Sequence, residues 1–248
     1  NTTPVGMYPN TGVSPIDLGL FPHLEGVLDM IYNPTRTQFL LDAADRGLVN
    51  VNGLWMLVAQ AKEAAEWFLD RKLPDDLIQD VYQKMRLQME NIVLIGMPGC
   101  GKSTIGKALA EKLGKTFVDA DAALVETFGK SIPTIFAEEG EAGFREKETA
   151  ILKELGKKSG LVIATGGGCV TQERNYPLLH QNGTIFCLQR DLDKLPTEGR
   201  PLSQNNQLAD MYRVRKPLYE AFVDHSIDNN GSCDETIAAI LAKLEEKQ

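Results

Sequence analysis

Apolar positions change their rhythm once along this chain. Between Leu54 and Leu69, the residues Leu54, Leu57, Val58, Ala61, Ala65 and Phe68 share one face of a helix, with Lys62, Glu63 and Glu66 off it. A shorter helical pattern runs from Gln38 to Gly47. After Pro74, PDDLIQDVYQKMRLQ predicts a polar helix with acids in its first turn, where the helix dipole favours them. At NIVLIG the period turns abruptly strand-like. The seam falls between Arg86 and Asn91 and predicts two domains, 1–88 and 89–248. Beyond it the pattern predicts strand Ile92–Ile95, helix Lys102–Leu113 closed by Gly114, strand Thr116–Val118, then helical stretches. Two more strands follow in GLVIATGGG and GTIFCLQ, and DETIAAILAKLEEK is an amphipathic closing helix. Strands alternating with helices predict an α/β fold, a central parallel sheet flanked by helices.

Composition narrows the partners. The net charge is -8 over 248 residues, and the part before Asn91 and the part after it are both acidic. Neither is a basic module, which argues against nucleic acid. No apolar run is long enough for a membrane span, and no signal peptide is visible. Cys100, Cys169, Cys187 and Cys233 show no C-x-x-C spacing, which argues against zinc and a disulfide framework and predicts a reducing, cytoplasmic setting. The chain opens on Asn1 and reads like the inside of a longer one.

Gly96, Gly101, Lys102 and Ser103 satisfy G-x-x-x-x-G-K-[ST], after an apolar strand and at the start of a helix. Glycines let backbone N–H groups crowd around phosphates, and the helix N-terminus adds partial positive charge. Lys102 would reach the β- and γ-phosphates and the Ser103 hydroxyl would ligate Mg²⁺. Gly99 and Thr104 complete the candidate ATP contacts. The loop alone says nucleoside triphosphate without distinguishing kinase from motor or GTPase.

Candidate acceptor residues follow. Asp119 and Asp121 stand just after the second strand, where carboxylates enter the ligand crevice of a parallel sheet, although an Asp helix cap explains the pair as well. Arg145 and Glu148, three apart, have the spacing of an ordinary solvated helix pair. Gly166, Gly167 and Gly168 end a strand, a costly run unless something approaches the backbone closely. EGRPLSQNNQ suits a lid carrying Arg200, and Arg215 lies near the start of a helix.

In this order, the P-loop, D-A-D, G-E-x-G-F-R-x-x-E, G-G-G, R-P-L and R-x-P-L-Y resemble shikimate kinase over essentially all of Asn91–Gln248. The resemblance implies transfer of the ATP γ-phosphoryl group to the shikimate 3-hydroxyl, with Mg²⁺ and ATP. It implies that Asp119 supports Mg²⁺ and Asp121 takes the hydroxyl proton. Arg145 and Arg215 would clamp the shikimate carboxylate, with Glu148 orienting Arg145 and Gly167 and Gly168 offering backbone contacts. Arg200 would close over the transferred group, and the kinase domain is expected to act as a monomer. The lid segment LDKLPTE is short and lacks the adenine-stacking arginine the family implies; Arg190 and Lys194 are the nearest cations. Two rivals remain: another small-metabolite P-loop kinase, for gluconate or a nucleoside, and a module that senses shikimate and ATP without turnover.

The first part resembles the C-terminal portion of shikimate dehydrogenase, through NTTPVGM (1–7), DMIYNPTRT (29–37) and NGLWMLVAQA (52–61). That resemblance implies that Met56 lies near a nicotinamide and that Tyr32 and Gln60 touch shikimate, while Trp55 stands where the family often has glycine. No G-x-G-x-x-G follows a strand there, so the segment is expected to be a mostly helical, inactive fragment of a dinucleotide-binding domain. NADP would bind only with the rest of that domain, as in a bifunctional dehydrogenase–kinase.

Overall fold

The computed structural model describes residues 1–195 and 205–246, the side chains of 205–207 excepted. Two compact units emerge, Asn1–Glu90 with His180–Asn182, and Asn91–Leu179 with Gly183–Gln248.

In the first unit, strands β1 (Gly26–Leu28) and β2 (Val49–Val51) pair in parallel, Gly26 opposite Val49. Between them lies helix α1 (Gln38–Asp45), started by Thr37, whose side chain accepts from the Leu40 N–H. Phe39, Leu40 and Ala43 of α1 form a small core with Leu18, against which Leu24, Val27 and Leu48 pack. Helices α2 (Leu54–Leu69) and α3 (Asp76–Met89) complete the unit.

The buried face of α2 departs from its apolar pattern. Leu54 and Val58 are buried as expected, but Phe68 is 91% exposed, while Glu66, placed off the packed face, is only 7% exposed. The Glu66 carboxylate accepts from Lys62 Nζ at 2.8 Å, from Lys72 Nζ at 2.7 Å and from the Leu73 N–H at 2.9 Å. It ties the end of α2 to the following turn, so hydrogen bonding rather than hydrophobicity fixes the last helical turns.

The second unit is built on five parallel strands, β3 (Asn91–Ile95), β4 (Thr116–Asp119), β5 (Leu161–Ala164), β6 (Gly183–Gln189) and β7 (His225–Asp228), in the order β4-β5-β3-β6-β7. Its helices are α4 (Lys102–Leu113), α5 (Ala120–Phe128), α6 (Ile132–Lys157), α7 (Asn175–His180), α8 (Asn205–Phe222) and α9 (Cys233–Glu245). β3 is buried throughout, as the central strand of a parallel sheet must be. Its first residue, Asn91, spends its polar side chain on register, donating to the Lys158 carbonyl and accepting from the Leu161 N–H at the mouth of β5. β7 was not expected from the pattern. It is a four-residue strand at the sheet edge with only Ile227 buried, too short and polar to announce itself.

Three donors hold the Glu66 carboxyl at about 2, the Lys62 and Lys72 ammonium groups first and the Leu73 N–H after them. A depressed carboxylate stabilises the fold fully above its ordinary value of 4.5, and that contribution fades as the pH falls from there through about 2. Thermal unfolding of wild type and Glu66→Gln should therefore differ most near neutrality and converge toward pH 2. A gap independent of pH would show that the ionised carboxylate is not the stabilising species.

Candidate active site

The chain leaves β3 at the centre of the sheet, where β5 lies on one side and β6 on the other. Such switch points open a crevice at the carboxyl ends of the strands. Gly96, Gly99 and Gly101 all take positive φ in the loop that follows, so the turn is one that side chains other than glycine rarely adopt. At Gly101 space is also short, since a Cβ would stand 2.9 Å from Asn229 Nδ2. That same amide donates to the Cys100 carbonyl at 2.5 Å, and Asn229 Oδ1 accepts from Thr236 Oγ1 at 2.7 Å. Asn229 thus braces the loop from beyond β7. Sequence reading missed it, because an Asn within DNNGS looks like any turn residue.

Lys102, the first residue of α4, is buried and folds back onto its own loop, donating to the Gly96 carbonyl at 2.8 Å and the Met97 carbonyl at 3.0 Å. Ser103 Oγ donates to Asp119 Oδ2 at 2.7 Å, and Thr104 is exposed on the same turn. Asp119 serves two purposes. Its other oxygen accepts from the N–H groups of Asp121 and Ala122 and caps α5, so the cap and the link to the loop coexist. Asp121 sits in the first turn of α5. Burial and then the neighbouring Asp119 push its carboxyl above the ordinary 3.8, while Lys102 and Arg145 oppose the rise.

Arg145 and Glu148 lie on α6 beyond a break at Gly140, and both are buried, so the spacing that suits a solvated pair here makes an interior one. Arg145 Nη1 donates to Glu148 Oε2 at 2.8 Å, and Nη2 to Glu141 Oε1 at 3.1 Å. Burial raises the carboxyl of Glu148, an effect that its pairing with Arg145 opposes. The triple glycine is the surface on which these groups rest. A Cβ on Gly168 would fall among the Arg145 guanidinium atoms. One on Gly166 would stand 2.7 Å from Glu148 Oε1 and 2.9 Å from Asp121 Oδ1. On Gly167 it would strike Pro98 of the phosphate loop. The glycine run therefore brings Asp121, Arg145, Glu148 and the loop to one stretch of backbone. From α8, Arg215 Nη1 and Tyr219 OH both donate to the Gly167 carbonyl, at 3.2 and 2.6 Å.

Arg200 lies outside the described residues. Lys194 is engaged with Asp191 at 3.3 Å, whereas Arg190 has its Nε buried without a partner and Nη1 3.9 Å from where a Cβ on Gly101 would be. Arg190 also lines a cavity of about 510 Å³ with Gly96, Met97, Tyr212, Lys216 and Asn230. Asp121, Arg145 and Arg215 take no part in that cavity; they meet instead at the glycine run. In the first unit, Tyr32 lines a separate cavity of about 440 Å³ with Thr3, Met7 and Met30, and neither Met56 nor Gln60 belongs to its walls.

A five-stranded parallel sheet whose central strand runs into a G-x-x-x-x-G-K-S loop and a helix N-terminus defines a P-loop nucleotide-binding fold. Residues 98–245 match the model of the family described as shikimate kinase. The chain belongs to the shikimate kinase family. A shikimate kinase of Acinetobacter baumannii (strain AYE) is 37% identical over 165 residues, 63% of this chain and 92% of that protein. The solved structure of shikimate kinase from Acinetobacter baumannii in complex with shikimate is 36% identical, with a TM-score of 0.60, covering 66% of this chain and 97% of its own. The shikimate kinase of Aquifex aeolicus is 30% identical at a TM-score of 0.58, over 63% of this chain and 97% of its own. A chorismate mutase/shikimate 5-dehydrogenase fusion protein from Clostridium acetobutylicum matches 34% of this chain and 30% of its own at 37% identity, with a TM-score of 0.32.

Gly168→Ala would drive a methyl group into the Arg145 guanidinium and force it off the backbone. Overpacking of this kind costs about 1–3 kcal/mol, which urea unfolding should register. Unaltered stability would mean that Arg145 has room to move aside.

Proposed function

We propose that the chain transfers the γ-phosphoryl group of ATP to the 3-hydroxyl of shikimate. The observation that carries this reading is the meeting of a buried arginine, Arg145, and a carboxylate, Asp121, at the glycine run beside the phosphate loop. An acceptor that bears both a carboxylate and a hydroxyl uses both groups, whereas a nucleoside, which has no carboxylate, would leave the buried Arg145–Glu148 pair and Arg215 less well explained; gluconate carries both groups and is separated from shikimate by the assay below.

In this reading the N–H groups of the loop at Gly96, Gly99 and Gly101 and the N-terminus of α4, with Thr104, receive the ATP phosphates. Lys102 leaves the Gly96 and Met97 carbonyls for the phosphate oxygens. Arg145 and Arg215 bind the acceptor carboxylate, and arginine suits that task because its fork matches a carboxylate bidentately. Glu148 orients Arg145. Gly167 and Gly168 would offer N–H groups, since the Gly167 carbonyl is taken by Tyr219 and Arg215 and the Gly168 carbonyl by Thr171. Asp121 accepts the hydroxyl proton as the new P–O bond forms and ADP leaves. Arg200 is assigned to the charge that develops on the transferred group. The Ser103 hydroxyl and Asp119 carboxylate, 2.7 Å apart at the loop, are hard oxygen donors suited to Mg²⁺. The bound ion would neutralise charge on the phosphate oxygens.

Residues 1–88 are read as a C-terminal portion of a shikimate dehydrogenase domain and 89–248 as the kinase domain. The first assignment rests on the three motifs of the first unit, and no reductase step is assigned to Tyr32, Met56 or Gln60.

ADP release coupled to a reporter, with ATP, Mg²⁺ and shikimate, tests the reading. Shikimate-dependent turnover with gluconate inert is the expected result. ATP binding without turnover would favour the sensing module. Asp121→Asn should lower kcat by at least about a hundredfold, as loss of a general base does, with ATP still bound; undiminished turnover would remove Asp121 from the mechanism. Arg190→Ala should raise the KM for ATP about tenfold, equivalent to about 1.4 kcal/mol, and leave the KM for shikimate in place. An unchanged KM for ATP would show that Arg190 does not face the nucleotide.

A further inference from the structure

Arg145 carries one carboxylate too many. On the same stretch of chain, Glu138, Glu139 and Glu146 each pair with a cation of their own, Lys130, Lys147 and Arg174. Glu141 instead shares the guanidinium already held by Glu148. The two partners are not equivalent. Glu148 is 3% exposed and cannot leave without stranding a buried charge, whereas Glu141 is 68% exposed. An exposed ion pair to one guanidinium nitrogen is weak and exchangeable.

The backbone places Glu141 for this contact. Gly140 breaks α6 with φ 69° and ψ -173°, so a fresh helical run begins at Glu141. An acid in that first turn is favoured by the helix dipole, and four residues on, one turn along the same face, comes Arg145. The guanidinium is otherwise confined, against Gly168 and 5.2 Å from the Phe144 ring centroid. Its Nε is buried with no partner, and so is Glu148 Oε1, so the cluster has hydrogen-bonding capacity that the protein itself leaves unused.

Building on the kinase reading above, we propose that Glu141 is an internal stand-in for the acceptor carboxylate. It occupies the Nη2 edge of Arg145 while the acceptor is absent, and shikimate must displace it to engage the guanidinium. Glu141 therefore lowers acceptor affinity in exchange for holding Arg145 in place, and it is a residue that sets specificity for the acceptor's charge.

The test is the steady-state kinetics of Glu141→Gln at saturating ATP, with shikimate and with its neutral methyl ester. The KM for shikimate should fall about threefold, the size expected on losing a weak exposed competitor. The kcat should stay within about twofold of wild type, and the methyl ester should gain nothing. Calorimetric titration of shikimate into Glu141→Gln and Glu141→Ala reads the same change as a tighter Kd. A raised or unchanged KM, or an equal gain for the ester, would overturn the proposal and leave Glu141 as an ordinary support of Arg145. If wild type itself releases no ADP with shikimate, the kinase reading falls and this proposal with it; normal wild-type turnover with an unresponsive variant removes this proposal alone.

Discussion

The guanidinium of Arg145 lies where a Cβ on Gly168 would have to be, and the arrangement of the second unit's site follows from that exclusion. A buried cation needs a counter-charge and hydrogen bonds, and a guanidinium lying this close to the backbone needs a position without a side chain. Gly168 leaves that position open and Glu148 supplies the pairing. The neighbouring glycines extend the same surface, so Glu148 and Asp121 also rest against backbone and the phosphate loop closes on it through Pro98. The first turn of α5, the middle of α6 and the end of β5 are thereby drawn together over a distance that ordinary side chains would prop apart.

The phosphate side is organised by a different means, polar side chains that accept or donate twice. Asp119 caps α5 with one oxygen and receives Ser103 with the other. Lys102 satisfies two carbonyls of the turn it follows. In a protein of net charge -8, the cations of the crevice are held by local partners, Lys102 and Arg215 by carbonyls and Arg145 by carboxylates.

What was legible in the sequence is what depends on local backbone. The phosphate loop declared itself because its positive-φ turn admits glycine and little else, and β3, β5 and β6 because fully buried parallel strands read as apolar runs. The triple glycine was read correctly as a demand for close approach; the structure adds that the protein's own Arg145, Glu148, Asp121 and Pro98 make that approach. Other features depend on partners far away in sequence. Spacing cannot tell a buried Arg145–Glu148 pair from a solvated one. The buried face of α2 was misjudged at Phe68 and Glu66, because hydrophobicity ranks the phenyl ring first while three donors hold the carboxylate. β1, β2 and β7 combine three or four residues each with little buried apolar surface, so no apolar run marks them.

Asn229 reaches the Cys100 carbonyl across 129 positions of chain. A growing polypeptide presents the glycine loop first, and the amide that props it and the Thr236 hydroxyl that steadies that amide emerge only after more than a hundred further residues, 129 positions on in the case of the amide. Between those moments the loop has its turn residues without its brace, and closing so long a segment is entropically unfavourable until the sheet has formed. The braced form of the loop is thus reached only when β7 and α9 join, and a nascent chain cut short of them would carry a complete motif in an unfinished cradle.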